Sequence, residues 1–396
     1  MLRPDVTLLP LDDDVVAFSE SGQCLLGLNP MAATVVREMQ RTASARDLEK
    51  MLVSREEVPP ADAGRWVSET IDALAAHGLM AGHETASAPE APVRKPRWLA
   101  EMLPFTPIEQ PAEERLYRLL ETCVLVRFSH LAQIRVVDAV IGHLAVPDGQ
   151  PVTVIDLPSR LMGDGHLVSS VYRDGDPVGH AWRLSHVGPL VKASVWQAAI
   201  NGHDFLYYFH SGVVGNGTSC LLLPAAAGSG KSSLTTALAL GAGYRFFSDE
   251  VALIRRSDFR VTPVPLAICC KSTGWDLMSR FYPAIDSLPV HWRADDKRVR
   301  YIPPPADALL NPPTPVSHVI FPRYRQGEPT LLRPIARAEA LGRLMGECQA
   351  LSQRLDRANV AQTIDWMSAV DCFELNFSSL DDAARLIGGV FPFKPS

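Results

Sequence analysis

The stretch LLLPAAAGSGKSSLTTALAL, Leu221 to Leu240, places an apolar run, a loop of small residues and a helix-forming run next to one another. Its centre, AAAGSGKS from Ala225 to Ser232, follows the pattern GxxxxGK[ST] except that alanine replaces the first glycine. In such a unit the backbone N–H groups and the positive end of the helix dipole face a bound phosphate. The stretch therefore predicts a phosphate-binding loop between a buried strand and a helix.

The residue types along this loop predict separate roles. Gly228 and Gly230 let the backbone bend around an anion, Lys231 supplies positive charge, and the Ser232 hydroxyl is suited to bind Mg²⁺. The residues predicted to bind the nucleotide are Ala227, Gly228, Ser229, Gly230, Lys231, Ser232 and Ser233. The alternative is a glycine-rich turn with a solvated lysine, and the combination of strand, loop, Lys-Ser and helix favours phosphate binding.

A second group of polar residues follows in GYRFFSDEVALI, where Asp249 lies 18 residues after Lys231. That spacing leaves room for one helix and the next strand, so it predicts a short βαβ unit with its acid at the end of the adjacent strand. An acid there holds Mg²⁺ or takes a proton from an attacking hydroxyl. The alternative is an Asp-Glu pair that ends a strand and has no chemical role.

Other polar residues are less decisive from their spacing. His210 lies 21 residues before Lys231, and a preceding strand would bring it back beside the loop, although a lone histidine is more often structural. Farther on, four basic residues form a cluster that either covers the phosphates or is a solvated loop face: Arg293, Lys297, Arg298 and Arg300.

Composition limits the function classes. The 396 residues carry a formal net charge of −6 and a pI near 6.0, which gives no basic field for nucleic acid. No run of about 18 apolar residues and no signal-peptide pattern is present, so we expect a cytoplasmic protein without a membrane partner. Seven cysteines without a CxxC pair predict reduced core residues.

The chain divides into three parts by its hydrophobic patterning. Residues 1–82 combine short strand-like runs with three helix-like stretches, which predicts a small winged helix-turn-helix domain. Residues 83–107 are rich in Ala, Pro, Glu and Ser and predict a linker. Residues 108–396 predict an α/β domain, in which 112–125 has a helix-like pattern and Asp174-Gly175 marks a hairpin turn.

The residues from about Trp196 to Leu386 resemble the HPr kinase/phosphorylase superfamily. The resemblance is carried by the histidine, an apolar strand, xxxGSGKSS, a helix and the acidic SDEVALI, together with PVPLAICCKSTGWDL ending its strand at Lys271. It implies a P-loop catalytic core similar to phosphoenolpyruvate carboxykinase. Oligomers are common in that superfamily, so the resemblance also admits a homo-oligomer.

This resemblance implies roles for the residues singled out above. Lys231 and the loop glycines would bind the β-phosphate of ATP, and Ser232 with Asp249 would bind Mg²⁺. Asp249 would act as the base on the acceptor hydroxyl, and His210 would lie beside the transferred phosphate. HPr kinases proper have two consecutive aspartates where this chain has Ser248-Asp249, and their metal-binding glutamate has no counterpart that the sequence locates.

The N-terminal part resembles the PqqD-like recognition element of ribosomal peptide biosynthesis, through its length and LNPMAATVVREM. In such elements a precursor's leader peptide adds as a strand to the small sheet. The two resemblances together imply a kinase that binds a leader through residues 1–82 and phosphorylates a side-chain hydroxyl of the precursor, serine first. The alternatives are a small-molecule kinase, a non-catalytic nucleotide-gated peptide chaperone, a conventional ATPase or GTPase and, for residues 1–82, an ordinary winged-helix domain.

Overall fold

The structure, a computed structural model, describes residues 1–41, 44–55, 58–82 and 96–393. Residues 83–95, which make up half of the predicted linker, lie outside the described residues. Among the helices of the described part, none has the length and apolar character needed to cross a bilayer. Helices and mixed sheets alternate along the chain, so the predicted α/β class is confirmed.

The N-terminal unit is a three-stranded antiparallel sheet followed by three helices, as its patterning predicts. Its elements are β1 (Val6–Leu11), β2 (Asp14–Ser19), β3 (Cys24–Leu28), α1 (Pro30–Met39), α2 (Ala45–Arg55) and α3 (Pro60–Ala76). The sheet order is β1-β2-β3. The Asn29 side chain accepts a hydrogen bond from the Ala32 amide at 2.8 Å, which satisfies one free N–H at the start of α1.

A second sheet with two helices forms the middle unit. Its elements are β4 (Glu113–Leu119), β5 (Thr122–Phe128), α4 (Leu131–Ile141), β6 (Ala145–Val146), β7 (Thr153–Leu157), β8 (Ser159–Leu161), β9 (Leu167–Arg173), β10 (Asp176–Ala181) and α5 (Val187–Asn201). The strand order is β10-β9-β7-β5-β4-β6, with β8 beside β9. The predicted turn at Asp174-Gly175 joins β9 to β10.

The helix predicted over 112–125 is wrong, because the segment forms the β4–β5 hairpin. Its apolar residues fit both a helical and an alternating pattern, and the alternation in β5 buries Val124 and Val126 in the core of this unit. β-Branched residues pack well on such a pleated, half-buried surface. Tertiary packing therefore overrides the helical spacing here.

The C-terminal unit carries the phosphate loop. Its elements are β11 (Tyr207–Gly215), β12 (Cys220–Pro224), α6 (Lys231–Thr236), β13 (Arg245–Ser248), β14 (Val251–Ile254), β15 (Arg260–Thr262), β16 (Ile268–Lys271), α7 (Trp275–Met278), β17 (His291–Trp292), β18 (Arg298–Ile302), β19 (Thr314–Tyr324), β20 (Leu331–Pro334), α8 (Arg337–Gly346), β21 (Cys348–Leu351), α9 (Arg357–Ser368), β22 (Asp371–Phe377) and α10 (Leu380–Val390). A π-helical segment, Ala237–Gly241, continues α6, so the helix after the loop runs from 231 to 241.

The strand that leads into the phosphate loop, β12, is central in its sheet. It pairs with β11 on one side and runs parallel to β19 on the other, and β19 in turn pairs with β22. The strand that leads into Asp249, β13, pairs with the far edge of β11. The expectation that Asp249 ends the strand adjacent to the loop strand is therefore wrong, because β11 lies between β12 and β13.

The N-terminal sheet is covered on both faces. Its one face packs on α1 to α3 through residues such as Val15 and Ala17, and its other face packs on α8 and α9 through Val16 and Phe18. Polar contacts reinforce this second packing: the side chain of Gln23 exchanges two hydrogen bonds with the backbone of Leu355, at 2.7 and 2.8 Å. The N-terminal unit is thus docked on the loop-bearing unit.

Candidate active site

The phosphate loop turns sharply between β12 and α6. Gly228 and Gly230 adopt left-handed backbone conformations, with φ of 93° and 84°, which glycine adopts without the steric cost that a Cβ brings. The loop is held at its far side, where the Tyr324 amide donates to the Ser229 carbonyl at 2.9 Å. Ala227 and Gly228 are exposed, whereas Ser229, Gly230, Ser232 and Ser233 are half-buried. The predicted nucleotide-binding residues therefore form one continuous turn at the start of a helix.

Close packing of α6 places Lys231 beneath this turn. Gly212 of β11 lies directly under the helix, and a Cβ at Gly212 would be 2.2 Å from the Thr235 hydroxyl and 3.5 Å from Lys231 Cγ. The absence of a side chain at position 212 lets the helix lie on the strand. Sequence reasoning did not single out Gly212, because its role depends on a contact between two elements.

Lys231 is 5% exposed, and its ammonium has no hydrogen-bond partner among the described residues. Burial lowers the pKa of Lys231 to about 8, since the charged form loses hydration and the carboxylates of Asp249 and Glu250 restore only part of that loss. An unpaired buried ammonium is costly to the fold. The arrangement suits a group that receives an anionic partner.

Asp249 lies in the turn between β13 and β14 and is 3% exposed. Its Oδ1 has no hydrogen-bond partner among the described residues. Burial, followed by the negative charge of Glu250, raises the pKa of the Asp249 carboxyl above its ordinary value. A carboxylate with a raised pKa is a better proton acceptor than an ordinary aspartate, which matches the role predicted for it.

Ser248 stands where the kinase resemblance leads one to expect a first aspartate, and its hydroxyl has a structural function. It accepts hydrogen bonds from the amides of Glu250 and Val251, at 3.3 and 3.0 Å. These bonds close the β13–β14 turn and fix the direction of the acidic pair. Ser248 therefore positions the acids and does not add a charge to them.

Glu250 is paired with a lysine from the middle unit that sequence reasoning missed. Lys192, on α5, donates to Glu250 Oε2 at 3.1 Å and is 8% exposed. Although burial disfavours the charged lysine, the carboxylate of Glu250 raises the pKa of Lys192, and Lys192 in turn lowers that of Glu250. At neutral pH this pair is ionised, and its negative member disfavours ionisation of Asp249.

His210 lies on β11 at the same site. In the sheet His210 pairs with Val251 of β14, and its backbone amide donates a hydrogen bond to the Glu347 carbonyl at 2.8 Å. Burial, together with the nearby charge of Lys231, lowers the pKa of the His210 imidazole, so the ring is neutral at neutral pH. The expected proximity of His210 to the phosphate loop is thus present.

Two further charged residues lie within electrostatic reach of the loop. The positive charge of Lys271, at the end of β16, contributes to lowering the pKa of both His210 and Lys231. Glu347, just after α8, is half-buried; burial raises the pKa of its carboxyl, and the charge of Lys231 opposes that rise. The sequence located no second acid for the site, and Glu347 reaches it only through the fold.

The basic cluster predicted at 293–300 is divided by ion pairs. Arg293 and Lys297 both pair with Asp295, at 3.1 and 2.7 Å. Arg300 pairs with Asp286 and lies over the Trp275 ring. Because Arg293, Lys297 and Arg300 already have acidic partners, these contacts favour the alternative of a loop face over a cluster that covers the phosphates.

A metal at this site would depend on the nucleotide for most of its ligands. The described residues contain no group of three or more His, Cys, Asp or Glu side chains suited to hold a metal by themselves. Ser232 is the second residue of α6, and the unpartnered Asp249 Oδ1 is a hard oxygen donor. Mg²⁺ characteristically binds one or two carboxylates plus substrate phosphates, so the residues present fit Mg²⁺ with ATP.

Neither a protein-family model nor a curated protein sequence matches this chain.

Proposed function

We propose that this protein is an ATP-dependent kinase that phosphorylates a side-chain hydroxyl, serine first, of a precursor peptide whose leader binds to residues 1–82. One observation carries the catalytic half of the proposal. Three buried polar atoms at the site lack hydrogen-bond partners among the described residues: Ser229 Oγ, Lys231 Nζ and Asp249 Oδ1. Buried polar groups are nearly always paired in native proteins, and nucleotide phosphates, Mg²⁺ and an acceptor hydroxyl supply the missing partners.

The proposed reaction assigns roles to the lysine, the acid and the histidine of the site. Lys231 and the loop amides hold the phosphates of ATP, and bound Mg²⁺ would neutralise charge on the transferring group. Asp249 accepts the proton of the acceptor hydroxyl. The oxygen of that hydroxyl forms a bond to the γ-phosphorus of ATP, and the bond between that phosphorus and ADP breaks. Neutral His210 lies beside the loop and adds no positive charge that would compete with Lys231.

The leader-binding half of the proposal concerns the edges of the N-terminal sheet. The outer strand β1 contains Pro10, which lacks an N–H and is typical of strand edges that do not accept a partner. The other outer strand, β3, contains no proline. A leader strand that adds to β3 would gain main-chain hydrogen bonds there, and we assign the leader to that edge.

Mass spectrometry tests the proposal directly. A candidate serine-containing precursor is incubated with Mg²⁺ and ATP, and the expected product is the peptide carrying one phosphoryl group. Asp249→Asn should slow formation of the product by about 10² to 10⁴ and keep nucleotide binding. If Asp249→Asn keeps full function while Lys231→Ala loses nucleotide binding, the protein is a nucleotide-gated chaperone. Hydrolysis of ATP that is independent of any peptide and gives no phosphorylated product would identify an ATPase.

A further inference from the structure

A cavity of about 530 Å³ lies beside the acidic pair, between the middle unit and the C-terminal unit. Its walls come from β10 and α5 on one side and from β14 and the β17–β18 hairpin on the other. Six aromatic side chains line it: Trp98, Trp182, Trp196, Tyr208, Trp292 and Tyr301. This volume and lining are typical of sites that bind a small molecule or a large side chain.

The charged residues in the walls of this cavity are paired with one another. Lys192 pairs with Glu250 and lies 5.4 Å from the centre of the Tyr301 ring. Arg293 pairs with Asp295 and lies near Cys269 Sγ. Because these charges already have partners, the cavity offers a ring or another apolar group its aromatic faces and edges, which aromatic ligands contact favourably.

The cavity and the phosphate loop are formed by different residues. Glu250 and Val251 line the cavity, whereas none of the residues from Ala225 to Ser233 does. Asp249, next to Glu250 in the same turn, does not itself line the cavity, and its Oδ1 has no hydrogen-bond partner among the described residues. A molecule in the cavity would therefore contact Glu250, the neighbour of Asp249, without contacting the loop residues.

We propose that this cavity binds an aromatic group of the phosphoryl acceptor and so brings the acceptor hydroxyl to Asp249. This inference rests on the proposed kinase function and adds the acceptor's chemical class to it. Two sources have the required chemistry: an aromatic residue beside the phosphorylated serine of a peptide, or a small alcohol that carries a ring. In both, the hydroxyl proton passes to Asp249, the oxygen bonds to the γ-phosphorus of ATP, and ADP leaves.

Acceptors that differ only in the ring test this proposal. The peptide probes are N-acetyl-phenylalanyl-serinamide and N-acetyl-alanyl-serinamide, and the small-molecule probe is 2-phenylethanol, each incubated with Mg²⁺ and ATP. We expect the phenylalanyl peptide to exceed the alanyl peptide in kcat/KM by at least about tenfold, the range that a filled apolar pocket provides. Phosphorylation of 2-phenylethanol alone would assign the site to a small-molecule acceptor.

A matched pair of variants on α5 connects the preference to the cavity. Ala193 is an exposed residue that lines it, so Ala193→Trp places a large ring in its space. Gln197, one turn later, is exposed and does not line the cavity, so Gln197→Trp adds the same ring elsewhere on the helix. The phenylalanyl preference should fall to about one in Ala193→Trp and persist in Gln197→Trp.

The outcomes separate this inference from the kinase proposal. Equal kcat/KM for both peptides in the wild-type protein would refute the cavity assignment and leave the kinase proposal intact. If Ala193→Trp binds Mg²⁺-ATP more weakly and keeps the phenylalanyl preference, the cavity binds the nucleotide. That result would also refute the cavity assignment. If no probe is phosphorylated, calorimetry decides: saturable binding of the phenylalanyl peptide that Ala193→Trp abolishes supports the cavity assignment, and no binding refutes it. The kinase proposal stands or falls separately, on mass spectrometry of the precursor that carries its leader.

Discussion

Nucleotide binding should depend on pH above neutrality, because the lysine of the phosphate loop is buried without a partner. In the free protein burial lowers the pKa of Lys231 to about 8. Nucleotide phosphates next to its ammonium favour the charged form, so the pKa of Lys231 rises when ATP binds. Binding is therefore coupled to uptake of a proton whenever the free lysine is partly neutral.

The size of the effect follows from that pKa. If only the protonated lysine binds the nucleotide, the dissociation constant increases by about tenfold between about pH 7 and about pH 9, which corresponds to about 1.4 kcal/mol. At about pH 8, the Lys231 amine is neutral in half of the nucleotide-free protein molecules. Binding therefore takes up about half a proton per nucleotide. Below about pH 7 the dependence on this group disappears.

Isothermal titration of Mg²⁺-ADP at these pH values, in two buffers with different ionisation enthalpies, measures both quantities. Lys231→Arg is the matched control, because arginine stays charged throughout and the variant retains any titration that belongs to the nucleotide. A dissociation constant that is equal at both pH values in the wild-type protein, with no proton uptake, would refute the reasoning from burial.

Three further predictions concern named residues. Asp249→Asn should lower kcat by about 10² to 10⁴ with unchanged nucleotide affinity. As the pH is lowered, the wild-type rate should begin to fall at a higher pH than it would with an ordinary aspartate, since the pKa of Asp249 is raised. Rapid-quench kinetics across pH measure both effects. In calorimetry Gly230→Ala should lose nucleotide binding, because its Cβ would lie 2.7 Å from Phe377 Cζ at a φ of 84°, and retained affinity would count against the loop geometry. Gly27→Val should destabilise the protein by about 1–3 kcal/mol in urea titration, since its Cβ would meet a backbone carbonyl of α8 at 2.7 Å, whereas Gly342→Ala within α8, where the added Cβ meets nothing within 4 Å, should not.

Sequence reasoning predicted the parts of the site that local patterns encode. The loop from Ala225 to Ser232 combines a strand, glycines at the bends and a helix start in one contiguous segment, and the structure has each of these in place. Asp249 and His210 came from spacing, and both lie within electrostatic reach of Lys231. Spacing did not give the order of strands, because it does not show that β13 pairs with β11 and not with β12.

The residues missed by sequence reasoning reach the site through tertiary contacts. Lys192 lies 57 residues before Asp249, in the apolar stretch GPLVKASVW. It is on α5, a helix of the middle unit. A lysine on a helix with almost no polar neighbours is a signal for a buried partner, since unpaired lysines are rarely buried. Glu347 offered no such signal, because it follows an ordinary amphipathic helix and its position depends on the docking of α8.

The docking of the N-terminal unit also lay beyond the sequence pattern. Strand β2 alternates Val15 and Ala17 with Val16 and Phe18, so it is apolar on both faces. A sheet buried on both faces reads as a continuous apolar run, which indicates a second packing surface without identifying it. That surface is α8 and α9, some 300 residues away along the chain.

Helix α8 joins the two ends of the proposed function. At its start Ala338 packs against Gly27 of β3, the strand assigned to the leader, and just after its end the Glu347 carbonyl accepts from the amide of His210. A helix of ten residues is about 15 Å long. If leader addition to β3 shifts the start of this helix, the shift reaches the strand beneath the phosphate loop. Leader and nucleotide would then change each other's affinity by the same factor, as thermodynamic linkage requires. A bound leader would thus alter nucleotide affinity at the site before the core peptide binds there.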